Sequence, residues 1–347
     1  MADAHPDSRD DEPLAGGQGD DDHGRTADAP QEIPAQGWRD VLTRVRVEAQ
    51  RDQVPLLSAG VAFYGLLSLI PAMIAAVTIY GLFADPSDVR RQVEDLAQGL
   101  PSSAQELLVD QLQTIVDSSS AGLSIAAVLA VAVALWSAST GVRQLVAALD
   151  LAYDEDETRG FVRVRLLGLA LTAAALVGAA VAVGAIAVLP GLLARTGLGD
   201  AAQLLINVLR WPLLAILFAA ALAVLYRVGP DRDDPQLQWV SWGAGVATVL
   251  WLIGSGLFAL YANQFASFNE TYGSLAGVVV LMLWLQLTAA VVLLGAELNA
   301  ELERQTVRDS TVDRPAPMGR RDARAADTLG ANADRAKDRE DAEASSG

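Results

Sequence analysis

Gln286, Glu297 and Asn299 are polar side chains in or just beyond the last apolar stretch of this 347-residue chain, and chemistry is first sought there. Eleven residues separate Gln286 from Glu297. At 100° per residue the second side chain returns to within about 20° of the first, so both face one side of a helix. Glu297 and Asn299 belong to Gly295-Ala-Glu-Leu-Asn-Ala-Glu301, and Arg143 closes the second apolar stretch at the same depth. The geometry therefore allows a Glu297–Arg143 ion pair, which would be either part of a polar pathway for an ion or small solute or a pin between two helices. Buried pairs prove little about function, so both readings stand. A second group lies in the first apolar stretch, where Gly60, Tyr64, Ser68, Pro71, Ala75 and Thr78 follow at spacings of 4, 4, 3, 4 and 3. Those spacings share one helical face. Pro71 has no N–H for the Leu67 carbonyl, so a bend is expected. Tyr64, Ser68 and Pro71 then form either a kinked cavity face or a close packing seam.

Other chemistries find no residues. Cysteine is absent, and the two histidines, His5 and His23, lie in an N-terminal segment expected to be disordered. That excludes thiolate sites and most zinc or histidine-triad chemistry. Ser58 and Ser68 have no nearby base to activate them. Asp150, Asp154, Glu155, Asp156 and Glu157 lack the spacing and turn glycine of a calcium loop and read as a solvated helix end with local ion pairs. No catalytic residue, cofactor or metal is expected.

The elements that must position the polar groups are six apolar stretches, at about 56–83, 123–140, 166–189, 204–226, 240–261 and 275–294. A bilayer core about 30 Å thick needs about 20 apolar residues in a helix. In hydrocarbon such a run has only the helix available. The fold expected is an all-α, six-helix polytopic membrane domain over 38–305, with the lipid bilayer as its first partner. Twelve arginines flank the stretches on one side (Arg39, Arg44, Arg46, Arg51, Arg143, Arg159, Arg163, Arg165, Arg227, Arg232, Arg304 and Arg308), against Arg90, Arg91, Arg195 and Arg210 on the other. Arginine-rich flanks stay in the cytoplasm, which places both termini there. Trp211, Trp239, Trp242, Tyr226 and Tyr261 mark headgroup depth. The net charge of −17 is uneven: residues 1–37 hold 10 acids against 2 arginines. Segments 1–37 and 306–347 read as disordered charged tails. In the outer loop, Asp85-Pro86 and the capping-box spacing at Ser103-Ala-Gln-Glu106 start two short amphipathic helices.

Several segments together resemble the YihY/BrkB family of bacterial inner-membrane proteins: Ala59-Gly-Val-Ala-Phe-Tyr64 leading to Leu67-Ser-Leu-Ile-Pro71, Trp136-Ser-Ala-Ser-Thr-Gly141, Ala152-Tyr-Asp with Glu157-Thr-Arg159, Leu225-Tyr-Arg-Val-Gly-Pro230, and Tyr272-Gly-Ser-Leu running through Trp284 to Leu294-Gly-Ala-Glu-Leu-Asn-Ala-Glu301. The match runs in order over about 38–305; Thr140 departs from it, standing where the family often has a basic residue. The resemblance implies six helices in the inner membrane with cytoplasmic ends. Labels attached to members include tRNA-processing ribonuclease, virulence or serum-resistance factor and transporter. A nuclease is at odds with a folded region expected to lack histidine and any basic stripe for RNA, so no nucleic-acid partner is expected. The reading is a transporter or exporter of a small solute, ion or lipid. The alternative is a non-transporting envelope-integrity or virulence-associated protein whose outer loop organises partners or lipids.

Overall fold

The computed structural model describes residues 23–81, 125–194, 199–265, 274–312 and 316–332. A short helix, α1 (Ala35–Arg51), precedes six long ones: α2 (Val54–Gly81), α3 (Ile125–Ala152), α4 (Phe161–Ala194), α5 (Gly199–Val228), α6 (Leu237–Phe265) and α7 (Ser274–Glu303). A single turn, α8 (Arg324–Asp327), follows. Each long helix holds a segment long and apolar enough to cross a membrane. Among the described residues, β pairing is limited to one isolated bridge, Pro235 with Thr311. The expected amphipathic helices of the outer loop lie outside the described residues.

Sequence neighbours are spatial neighbours: each long helix packs on the next, and α7 returns to α2 to close the ring. α7 also touches α1, α3 and α8, so more elements depend on it than on any other helix. Both described chain ends meet at one end of the ring, where Arg25 donates to the Gly330 carbonyl at 2.8 Å and to Asn332 Oδ1 at 2.5 Å. This end is the terminal face.

Two helices outrun their apolar stretches furthest, both at the terminal face. α3 continues past Thr140 to Ala152, and α7 past Leu294 to Glu303. Charge ended the stretches but did not end the helices, because the charged side chains find partners within the bundle end. The same cause corrects the expected tails. Residues 23–37 and 306–332, apart from 313–315, dock on the terminal face. Ala27 and Ile33 join Val41, Trp239, Leu298 and Leu302 in a small core. Thr306 Oγ1 donates to the Ala27 carbonyl at 2.7 Å, and Val307 N–H to the Arg25 carbonyl at 2.9 Å. The Arg321 guanidinium donates to the carbonyls of Val307, Arg308, Ala316 and Ala326. Polar contacts with main-chain groups, which no hydropathy pattern records, hold these segments. His23 is correspondingly not in a loose tail: its Nδ1 lies 2.5 Å from Asp40.

The interfacial aromatics divide. Trp211 and Tyr261 are exposed, but Trp239 and Tyr226 are fully buried, and Tyr226 Oη donates to the Val292 carbonyl at 2.7 Å. Close approach in α7 occurs away from Gly277, where a Cβ would meet nothing. It occurs where Gly243 of α6 crosses Gly295: a Cβ on Gly243 would run into the Gly295 carbonyl and Asn299. Lipid supplies no hydrophobic drive between helices, so contact of small residues carries the packing. Gly243→Ala should cost about 1–3 kcal/mol by overpacking against rigid backbone. Gly245→Ala, where a Cβ meets nothing, should be neutral or slightly stabilising. Thermal unfolding of the two purified variants measures the contrast.

Candidate functional site

The last turns of α7 carry Glu297, Asn299, Glu301, Glu303 and, one residue beyond, Arg304, and the four helical ones are at most 1% exposed. An ionised group taken from water costs several kcal/mol unless paired, so each needs a partner. Residues 297, 301 and 304 share one side of the helix, three or four positions apart.

On that side Arg44 of α1 is the organising cation. Its Nε contacts the Glu301 carboxylate, its Nη2 donates to the Glu301 carbonyl at 3.0 Å and to Gln305 Oε1 at 2.8 Å, and its Nη1 reaches the Ala331 carbonyl. Arg304 donates to Glu301 at 2.7 Å and to Asp154, just beyond α3. Burial alone would lower the Arg304 pKa; the Glu301 and Asp154 charges more than offset it, and the net shift is upward. Asp52, in the α1–α2 link, places its carboxyl within hydrogen-bonding reach of Glu297. Two carboxyls can share a hydrogen bond only if one carries a proton. Burial raises the Asp52 pKa above its ordinary value, the Asp154 charge adds to this, and the bond with Glu297 opposes it. Glu48 is raised likewise, by burial and then by the Glu301 charge. Glu297 Oε1 has no hydrogen-bond partner although the residue is 1% exposed.

The other side of α7 faces α3 and α6. Asn299 Oδ1 accepts the Gly243 N–H at 2.8 Å, and the Asn299 side chain lies within hydrogen-bonding reach of the hydroxyl of the fully buried Tyr153. Arg232, from the α5–α6 link, makes a two-pronged pair with Glu303 at 3.0 and 2.6 Å, both side chains fully buried, and Ser310 Oγ adds a 2.5 Å bond. Buried polar atoms are almost always bonded, and Glu297 is the acid of this group that no cation meets.

The expected site residues are thus distributed unevenly. Gln286 and Glu297 both turn toward the α1–α2 junction, as their spacing requires: Gln286 Nε2 lies 3.5 Å from the Pro55 carbonyl. Pro55 opens α2, so Gln286 sits near the start of that helix and not at mid-depth. Glu297 does not pair with Arg143; its neighbour is Asp52. Arg143 instead lies along α4, where its Cγ occupies space a Cβ on Gly168 would need. Ser68 accepts the Gly141 N–H of α3 at 2.9 Å, a packing contact. Tyr64 is 38% exposed and meets the ring of Phe63 edge-on, and Pro71 is accommodated inside α2. The acidic run after α3 is only partly local: Arg159 pairs with Glu157 at 2.7 Å and also with Asp231 at 3.4 Å, while Asp154 reaches Arg304. Arg44, Asp52, Tyr153 and Arg232 were not expected in the site. Their only sequence signal was charge beside a helix end, which does not distinguish a solvated group from a buried one.

The sequence pattern of the family described as Virulence factor BrkB matches residues 45–319. Among curated proteins, a ribonuclease-like protein of Bacillus subtilis, YfkH, is 34% identical over 258 residues, 72% of this chain and 90% of that protein. A UPF0761 membrane protein of Alteromonas mediterranea is 28% identical over 271 residues, 76% of this chain and 88% of that protein. Another from Vibrio parahaemolyticus is 40% identical over 97 residues, 28% of this chain and 30% of that protein. No solved structure matches.

Two measurements test the site's electrostatics. Asp52 has an ordinary pKa of 3.8, raised in the fold, so above that pH the folded state holds more protons than the unfolded one. Its contribution to stability is full below 3.8 and is lost as pH rises through the folded value. Asp52→Asn should therefore flatten the fall in thermal stability toward neutral pH; an unchanged pH profile would show that the fold does not raise the Asp52 pKa. Arg232→Ala, by stranding Glu303, should cost about 3–5 kcal/mol, and Arg232→Met with Glu303→Met should recover most of it. Denaturation of the single and double variants reads the difference.

Proposed function

The chain belongs to the BrkB family, and on that premise we propose that it is a transporter or exporter of a small solute, ion or lipid. The Glu297–Asp52 carboxyl pair is the point in the cycle where a proton or cation is exchanged. The observation that carries the reading is the unmatched Oε1 of Glu297, buried at the end of a membrane-crossing helix beside a second carboxyl. Ionisable groups in such positions are expensive, and pathways for ions and protons are where they are commonly found. Arg44 and Arg304 satisfy Glu301 and pass Glu297 by, which leaves Asp52 as its polar neighbour.

Opening the pair requires only a small change. Asp52 stands in the short link between α1 and α2, so a shift of α1 against α7 would separate the carboxyls and release the shared proton or a cation held in its place. The excess of arginine on the terminal face, which includes Arg39, Arg46 and Arg163, supports a cytoplasmic terminal face in a bacterial inner membrane.

The test is a thermal-unfolding screen of the detergent-purified protein against sodium, potassium, polyols and amino acids, with Glu297→Gln in parallel. A ligand that binds only the folded state raises its stability. The expected result is a well-folded variant that has lost the stabilisation one solute class gives the parent, and lost its flux in proteoliposomes. Equal stabilisation and equal flux in both proteins would remove Glu297 from the mechanism. With lipid added as a further ligand, stabilisation by lipid alone, equal in both proteins, would favour the envelope role.

A further inference from the structure

A lateral groove of about 750 Å³ lies between α1, the start of α2, α6 and α7. Its walls are apolar, with Val45 and Ala49 on α1 and Leu283, Leu287, Ala290 and Leu294 on α7. From Leu283 to Leu294 it follows α7 for about 17 Å at 1.5 Å per residue. Its polar groups are few: Arg46 and Gln50 on α1, and Ser58 and Gln286 beside the start of α2. The Gln286 amide is only weakly engaged, because the Pro55 carbonyl 3.5 Å away already accepts a 3.0 Å bond from Ser58. A second hollow continues along α1, lined by Trp38, Arg39, Thr43 and Arg46, so that Leu42 and Arg46 belong to both.

The charges on α1 separate into two sets. Arg44 is buried against Glu301, and Arg51 pairs with Glu48 at 3.6 Å. Arg39 and Arg46, seven positions apart and so on one side of the helix, are exposed, and among the described residues neither has an acidic partner. In a chain of net charge −17, two uncompensated guanidiniums beside an apolar groove at a membrane boundary call for an anionic occupant with a long apolar part. Guanidinium forks match phosphate oxygens. An acyl chain gains little by exchanging lipid for protein, so the headgroup must supply the selectivity.

We propose that the groove is a specific site for one anionic phospholipid of the leaflet on the terminal face, its phosphate held by Arg39 and Arg46 and one acyl chain lying along α7. Gln286, near the start of α2, meets the lipid at the level of its ester groups. The site does not depend on the transport reading, and lipid bound here would brace α1 against α7.

The experiment is native mass spectrometry of the full-length, delipidated protein titrated with phosphatidylglycerol or phosphatidylcholine, with thermal unfolding as a second readout. The parent should take up one phosphatidylglycerol saturably, at least about tenfold more tightly than phosphatidylcholine, a preference weakened by salt. Arg39→Gln with Arg46→Gln should bring the two lipids to equal affinity while leaving the lipid-free melting temperature unchanged. Ala290→Phe, which fills the groove, should lower affinity for both; if it fails to fold, Gln286→Leu with Ser58→Ala tests the same wall. Glycerol 3-phosphate, which has the anion but no acyl chain, should not compete. Equal affinity for both lipids in the parent, a preference retained in the double arginine variant, or a protein dimer that buries the groove and excludes lipid would each overturn the proposal.

Discussion

Burial of the charged end of α7 is the constraint on which the rest of the terminal face depends. A helix that runs on from apolar residues into Glu297, Glu301 and Glu303 either projects into water or is wrapped by groups that satisfy those carboxyls. This chain wraps it. Arg44 comes from α1, Arg232 from the α5–α6 link, Arg304 from just past α7 itself and Ser310 from the segment beyond. Arg44 and Arg232 are distant parts of the chain, and they are drawn in by the same need as Arg304 and Ser310, which is why segments with hardly any apolar surface are nonetheless in place.

The price of such an arrangement is that its members are not exchangeable. A buried pair is worth little against a well-packed apolar substitute, yet losing one partner leaves a stranded charge. Arg232 and Glu303, both fully buried, are in that position, whereas Arg159 and Glu157 are not, because solvent screens them. Glu297 stands apart from both cases. It has a second carboxyl for a neighbour and an oxygen with no partner, so it is the one member of the cluster whose burial is not offset by a cation.

α1 therefore has two roles on opposite sides. Its inward side carries Val41 and Arg44 into the packed face, and its outward side presents Arg39, Leu42 and Arg46 beside the groove. The Gly243–Gly295 crossing and the Ser68–Gly141 contact fix the helices around it through close backbone approach. The α1–α2 link joins the carboxyl pair to the lipid-facing groove, because Asp52 and Pro55 are three residues apart and meet Glu297 and Gln286 respectively.

Much of this was legible in the residues. Length and apolarity alone dictate six membrane-crossing helices, since hydrocarbon leaves the backbone no other arrangement, and the 11-residue interval dictates that Gln286 and Glu297 share a face. Only the tertiary structure decided the partners. Arg143 and Asp52 are equally plausible neighbours for Glu297 by depth; helix order around the ring gives Asp52 the place and lays Arg143 along Gly168. Likewise His23, Thr306 and Arg321 sit in segments that composition reads as solvated, and hydrogen bonds hold them: His23 to Asp40, Thr306 to the distant Ala27 carbonyl, and Arg321 to four carbonyls of its own end of the chain. Periodicity records which side of one helix avoids water. It carries no information on which distant polar group will complete a buried charge, because that depends on where the chain brings the two together.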